Sequence, residues 1–344
     1  MKPASEKIAL SRGQNLFFLI SQPRAGSTLL QSIIGSHPDV HTTPEPWLML
    51  YPSYSFRREG TKAEYEFHWA WTGLHQFLSH IPDGKEIYAE GVRRLYLDLY
   101  NASIESAGKT YFLDKTPRYY LISDELNYLF PEARYIFLIR NPIAVLCSIA
   151  RTWIHGYWYK LNVYKKDLID APEMILNSAR FLSEKSTLLR YEEVLKDPAV
   201  EMKRLYEDLD ISPRSSFSYS SPQNIYSSEL GDKTNVDKKR MPDCSHLDRW
   251  KEDVKDPQIW RLVNDYVDYL GEDLLGRLGY SYSDMKRELI ARYPGKLALT
   301  MTFSLEWYLR EDNEYRGKDY IVYRTSNAIQ GRGCQGFLKR ILKH

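Results

Sequence analysis

The chain has 344 residues, 43% of them hydrophobic and 27% charged, enough to bury a large core and too apolar for a disordered segment. A net charge of +2 excludes a strong electrostatic footprint for nucleic acid. The three cysteines, Cys147, Cys244 and Cys334, show neither CxxC nor CxxH spacing, which argues against a disulfide framework or a zinc site and fits a reducing compartment. No apolar run approaches the roughly 20 residues of a membrane span, and MKPASEKIALSRGQ holds no apolar core of signal-peptide length. A cytoplasmic protein without a membrane span is therefore expected, its oligomeric state open. Aromatic residues reach 14%, with 27 Tyr and 8 Trp, which suits either a cleft that stacks on flat or sugar-like ligands or an aromatic-rich core.

In chain order, residues 16–20 read as a buried strand, 21–26 as a tight loop and 27–36 as a helix. A strand–loop–helix with small residues at its turn binds anions, because first-turn N–H groups and the helix dipole point at the ligand. Ala25 and Gly26 keep the turn small, and Ser27 and Thr28 add hydroxyl donors. The loop departs twice from GxxxxGK[ST]: Ser21 stands for the first Gly, and Ser27 for the Lys, with the cation upstream at Arg24. Glu45 lies between Pro44 and Pro46, in an extended segment outside any helix. Residues 63–80 form an aromatic-rich helix, 86–107 another, 110–113 a short strand before Asp114-Lys115-Thr116-Pro117, and 117–130 a helix.

Residues 134–139, RYIFLI, are short, continuous and apolar, as a parallel strand covered on both faces requires. Asn141 is a good N-cap and Pro142 a good first helical residue, for a helix running to about His155. Further on, 171–185 is read as helix, 187–191 as strand, and 199–209 and 256–275 as helices. Residues 212–244, polar and basic at Lys238-Lys239-Arg240, read as a mobile loop or lid. The stretch from Tyr320 carries Arg324, Arg332, Lys339, Arg340 and Lys343 without an acid, which fits a solvated terminal helix or contact with an anionic surface. Strands alternating with helices predict an α/β fold, with a central parallel sheet flanked by helices over 14–285 and a C-terminal extension over 286–344.

The second long strand ends in Arg140, where an NTPase would deliver a metal-organising Asp. A cation there suits a second phosphate and not a metal, and Ser148, eight residues on, adds a hydroxyl. PRAGSTLL followed by IRNPIAVLCS resembles the PAPS-dependent sulfotransferase family, a branch of the P-loop NTPase-like fold. Ser36-His37-Pro38, Glu45-Pro46, Asp114-Lys115-Thr116-Pro117, Leu189-Arg190-Tyr191-Glu192-Glu193, Asp197-Pro198 and Asp248-Arg249-Trp250 resemble family motifs in family order, over about 16–280. The resemblance implies that 3′-phosphoadenylyl sulfate (PAPS) is the donor and PAP the product, with no metal. It implies that Arg24, Ala25, Gly26, Ser27 and Thr28 hold the 5′-phosphosulfate, and Arg140 with Ser148 the 3′-phosphate. Arg151, Tyr191 and Arg249 are further nucleotide-binding candidates, with Lys238, Lys239 and Arg240 competing with Arg249.

Glu45, 21 residues after Arg24, resembles the glutamate base of the tyrosylprotein branch, and a partly buried carboxylate there suits proton abstraction. His41, His68, His75 and His155 are rival bases. Arg24 and Lys115 resemble cations that stabilise the departing and transferring groups. Arg24 is more like the glycan and tyrosylprotein branches, since soluble cytosolic members carry Lys. The aromatics of 65–71, Trp153 and 157–159 either shape an acceptor pocket or pack helices. The reading is sulfuryl transfer from PAPS to a hydroxyl or amine of a small-molecule or secondary-metabolite acceptor. The alternatives are a carbohydrate or glycan acceptor, a P-loop nucleotide kinase, or a PAP-binding module without catalysis.

Overall fold

The computed structural model of the chain describes residues 12–212, 244–295 and 302–309. Its contacts divide these into two compact units, one holding 12–140 and 173–212, the other 141–172 and the described residues from 244 onward.

The first unit is built on a five-stranded sheet in the order β2-β3-β1-β4-β5, with β1 Leu16–Ser21, β2 Val40–Thr42, β3 Tyr111–Lys115, β4 Arg134–Ile139 and β5 Ser186–Arg190. Every pairing is parallel, as unbroken apolar strands joined by helices predict. The chain first builds the sheet to one side of β1, through β2 and β3, then crosses to the other, through β4 and β5. The order therefore reverses between β1 and β4, and ligands bind outside the carboxyl ends of strands at such a point.

Side chains alternate across the sheet, so Phe18 and its register partner Asp114 share one face, and Leu19 and Lys115 the other. The long helix Gly84–Ala107 covers the first face, where Tyr100 meets both Phe18 and Asp114. Helix α1 (Ser27–Gly35) covers the second, and its Thr28 comes within 3.5 Å of the Lys115 ammonium. Phe18 also packs on Tyr119, Phe130 and Tyr135, and all five rings are essentially inaccessible. Much of the high aromatic content is thus core. The second unit is helical. Helix Pro257–Arg277 is capped by Asp256, which accepts from the N–H groups of Gln258 and Ile259, and it breaks at Gly271. Tyr266 donates to the Leu168 carbonyl, and Trp260 to that of Leu289.

Several boundaries differ from the sequence expectation. The aromatic helix spans Phe67–Ser79, and the next begins at Gly84. The expected 117–130 helix splits into a 3-10 turn, Pro117–Leu121, and a helix, Ser123–Leu129, because Ile122 leaves the helical region (φ −133). The helix after Asn141 ends as α-helix at Ile149 and closes with a π-turn, Ala150–Ile154. Residues 171–185 are helical only to Phe181. The edge strand β2 and helices Leu50–Tyr54 and Tyr282–Ile290 were not expected. β2 is three residues, Val-His-Thr, too short to carry a periodic signal. β3 runs two residues further than expected, into Asp114 and Lys115, because both pair in register with β1. The lid expected over 212–244, except for its end residues, and the basic stretch from 320 lie outside the described residues.

Candidate active site at the carboxyl edge of the sheet

All five strands of the first unit lead at their carboxyl ends to candidate site residues. β1 leads into the Arg24–Thr28 loop, β3 ends on Lys115, β4 is followed by Arg140, β5 by Tyr191, and β2 by the segment that carries Glu45.

The first loop is held in left-handed backbone at Arg24 (φ 68) and Gly26 (φ 100). Positive φ is unusual at a residue with a Cβ and gathers where a site needs it. The Arg24 carbonyl accepts from Arg140 Nη1 at 3.1 Å, a contact that spans the β1/β4 reversal. Gly26 caps α1 without a side-chain bond, and the first turn carries no acid. The helix's own bonds begin with the N–H groups of Leu29 and Leu30 donating to the Gly26 carbonyl, so the N–H groups before them have no acceptor within the helix.

Tyr191 lies beneath this loop and is the first residue of helix Tyr191–Lys196, not the last of the strand as expected. Its ring stacks under the Arg140 guanidinium, 4.4 Å from centroid to Cζ, and a Cβ on Gly26 would lie 2.3 Å from its edge. Glycine is required here first by Tyr191. Such a stack fixes the plane of the cation.

Glu45 sits in the irregular chain after β2, outside any helix as expected. Its Oε1 accepts from Lys115 Nζ at 2.7 Å and its Oε2 from the Trp47 indole N–H at 3.3 Å. Lys115 is 1% exposed and the Glu45 side chain 16%. Trp47 reaches it from a left-handed backbone (φ 52). Gln31 of α1 donates to Thr42 Oγ1 and to the Thr43 carbonyl, tying the start of this segment to the loop helix. Its far end is tied by Met49, whose N–H donates to the Tyr119 hydroxyl at 2.9 Å.

Asp114, next to Lys115 but on the opposite face, is 1% exposed and accepts from Tyr100 (2.6 Å), Thr116 (2.9 Å) and Tyr119 (3.2 Å). Burial pushes its carboxyl up to about 6, against the three hydroxyl donors and the Lys115 charge. Burial and the Asp114 charge push both phenols well above the usual range. Trp47 and Tyr119 were not singled out from the sequence, and Asp114 entered only as part of the Asp114-Lys115-Thr116-Pro117 motif, without a role of its own. An acid in a buried strand was the one signal available.

The rival histidines have other surroundings. His41 rests against Phe112, and burial with the Lys109 charge lowers its pKa. His68 stands beside Glu66. His75 packs on Trp71 and lines a cavity of about 320 Å³ that includes none of Arg24, Glu45 and Lys115. His155 closes the π-turn of the second unit. Of the expected acceptor aromatics, Tyr65 (61%) and Trp69 (67%) are exposed, and Trp153 stacks on Tyr164 within the second unit.

The second unit holds Ser148, Arg151 and Arg249. Ser148 is buried on helix Pro142–Ile149, whose N-terminus Asn141 caps through the Ile143 N–H, as expected. Arg151 is ion-paired with Asp253, and Arg249 is exposed ahead of the buried Trp250. Among the described residues, no group of three or more His, Cys, Asp and Glu is placed to hold a metal ion, and no helix is long and apolar enough to cross a membrane.

The chain belongs to the sulfotransferase family, whose model matches residues 17–214. It is 28% identical over 291 residues to nodulation protein NoeE of Sinorhizobium fredii (strain NBRC 101917 / NGR234), covering 77% of this chain and 66% of that protein. It is 23% identical over 205 residues to protein-tyrosine sulfotransferase A of Caenorhabditis elegans, covering 58% and 51%. The chain thus spans between half and two thirds of these relatives. The sulfotransferase domain from the curacin biosynthetic pathway shares the fold, with a TM-score of 0.51 at 19% identity over 78% of this chain and 98% of that domain.

Proposed function

We propose that the protein transfers the sulfuryl group of PAPS to the hydroxyl, or amine, of a small-molecule acceptor, with Glu45 as general base. The observation that carries this reading is the Glu45–Lys115 pair at the sheet edge that also presents the Arg24–Thr28 loop and Arg140. PAPS supplies a sulfuryl group activated by its anhydride bond to phosphate. The loop N–H groups with Ser27 and Thr28 suit the 5′-phosphosulfate, and Arg140, its plane held by Tyr191, suits the 3′-phosphate. For Ser148, Arg151 and Arg249 the assignment rests on the family resemblance alone.

Glu45 takes the acceptor proton as the acceptor oxygen or nitrogen bonds to sulfur and the sulfur–oxygen bond to phosphate breaks, leaving a sulfate ester or a sulfamate, and PAP. Lys115, hydrogen-bonded to Glu45 at rest, can turn its charge to the transferring oxygens, and Arg24 to the phosphate oxygen left behind. Cations and backbone donors meet the charge that this transfer develops, so the reading needs no metal. A second reading, tyrosyl hydroxyls of a protein, is favoured by the name of the Caenorhabditis relative.

Labelled sulfate transfer from PAPS across phenols, sugars, alkaloid-like alcohols and tyrosine peptides separates small-molecule, carbohydrate and protein acceptors. We expect Glu45→Ala to lower turnover by about a hundredfold or more with PAP affinity within about twofold, and Arg140→Ala to weaken PAP binding at least about tenfold. Unchanged PAP affinity in Arg140→Ala, measured by calorimetry, sinks the donor assignment. Unchanged turnover in Glu45→Ala sinks the base.

A further inference from the structure

We propose that Asp114 is a positioning residue for sulfuryl transfer, acting through Tyr119 on the segment that carries Glu45 and through the strand end that carries Lys115. The inference rests on the reading of Glu45 as base.

Glu45 belongs to an irregular segment between β2 and the helix Leu50–Tyr54, and such a segment has no ladder of its own to hold it. At its downstream end the buried Met49 donates its N–H to the Tyr119 hydroxyl. That phenol is fully buried, accepts from Met49 and spends its own proton on Asp114 Oδ2. The direction of the chain follows from the donors: an N–H can only donate, so the phenol must accept there and donate onward. Asp114 is the terminus that permits this, since an ionised carboxylate only accepts. It accepts also from Tyr100 of the long helix and from Thr116. A charged acceptor makes these bonds shorter and stronger than a neutral one would.

Lys115, the chain neighbour of Asp114, makes the 2.7 Å bond to the Glu45 carboxylate from the other face of β3. Both ends of the catalytic pair are therefore referred to one buried anion: Lys115 by the backbone of β3, and Glu45 by Tyr119 and Met49. A core acid kept only for stability would carry no such link to the reacting pair, and the two roles predict different behaviour.

The test uses the full chain, labelled sulfate transfer from PAPS to p-nitrophenol, PAP calorimetry, and hydrogen exchange at the Met49 amide. Tyr119→Phe removes only the linking hydroxyl, and Asp114→Asn only the charge. We expect each to lower kcat about ten- to a hundredfold, the scale of a small misplacement of a reacting group, with PAP affinity within about twofold. We expect Met49 exchange to accelerate in both, and little further loss when either is combined with Glu45→Gln. Wild-type kcat in Tyr119→Phe, or losses that multiply fully with that of Glu45→Gln, overturns the proposal. Wild-type kcat in Glu45→Gln alone overturns the base assignment instead, and unchanged Met49 exchange then overturns the linkage by itself.

Discussion

Gly26 carries two demands that no other residue type meets together. Its φ of 100 lies where a Cβ is strained, and the Tyr191 ring occupies the space a Cβ would fill. Gly26→Ala adds roughly 1–2 kcal/mol of backbone strain and roughly 1–3 kcal/mol of overpacking, which the structure relieves by pushing Tyr191 away. Tyr191 orients Arg140, so the displacement reaches the anion site. We expect a lower melting temperature and weaker PAP binding in Gly26→Ala, with the stability loss partly recovered by adding Tyr191→Leu while the affinity stays low. Full recovery of affinity would mean that Tyr191 does not orient Arg140. The positions of Arg24, Lys115 and Arg140 after or at strand ends, and of Glu45 between two prolines, were legible in the sequence because local pattern exposes them. Trp47, Tyr119 and the Tyr191–Gly26 contact were not. They depend on segments tens of residues apart meeting at one edge of the sheet, and no local pattern encodes that.

β3 is the strand that departs furthest from an apolar expectation, and its charges explain why it was read too short. An apolar-run criterion stops at Leu113, whereas the ladder with β1 continues through Asp114 and Lys115. The cost of burying an acid there falls on Asp114, whose carboxyl faces Tyr100, Thr116 and Tyr119 and has Lys115 as its chain neighbour. Its carboxyl is raised from 3.8 to about 6, so between these values the folded chain binds more protons at this site than the unfolded chain. Its stabilising contribution is complete below the lower value and is lost as the pH rises through about 6. The loss is on the order of 3 kcal/mol, at about 1.4 kcal/mol per pH unit. Urea titrations of wild type and Asp114→Asn check this: between pH 4 and pH 7 the wild type should lose stability relative to the variant. A difference that stays flat, or runs the other way, contradicts a raised carboxyl. In Asp114→Asn the slower turnover should appear at pH 5 and pH 7 alike, whereas its stability difference from the wild type should change with pH, which separates positioning from folding.

At the scale of the molecule, the parallel α/β architecture was legible because β1 and β4 are continuous apolar runs with helices between, and those two strands flank the reversal of strand order. The division into two compact units was not, since it cuts the chain after Arg140 and again near Glu173, where composition does not change. A ligand that binds only the folded state raises the stability of the whole cooperative unit it touches, by about 2.7 kcal/mol at a hundred times its dissociation constant. PAP at saturating concentration should therefore raise the melting temperature by several degrees. ATP with Mg²⁺ should not, because Ser27 replaces the lysine that serves a triphosphate and an arginine stands at the second strand end. The same titration reads the resemblance-based assignment of Ser148: a smaller PAP shift in Ser148→Ala supports it. An unchanged shift there, alongside its loss in Arg140→Ala, removes it. A rise with ATP–Mg²⁺ equal to that with PAP would instead revive the nucleotide kinase reading for the loop after β1.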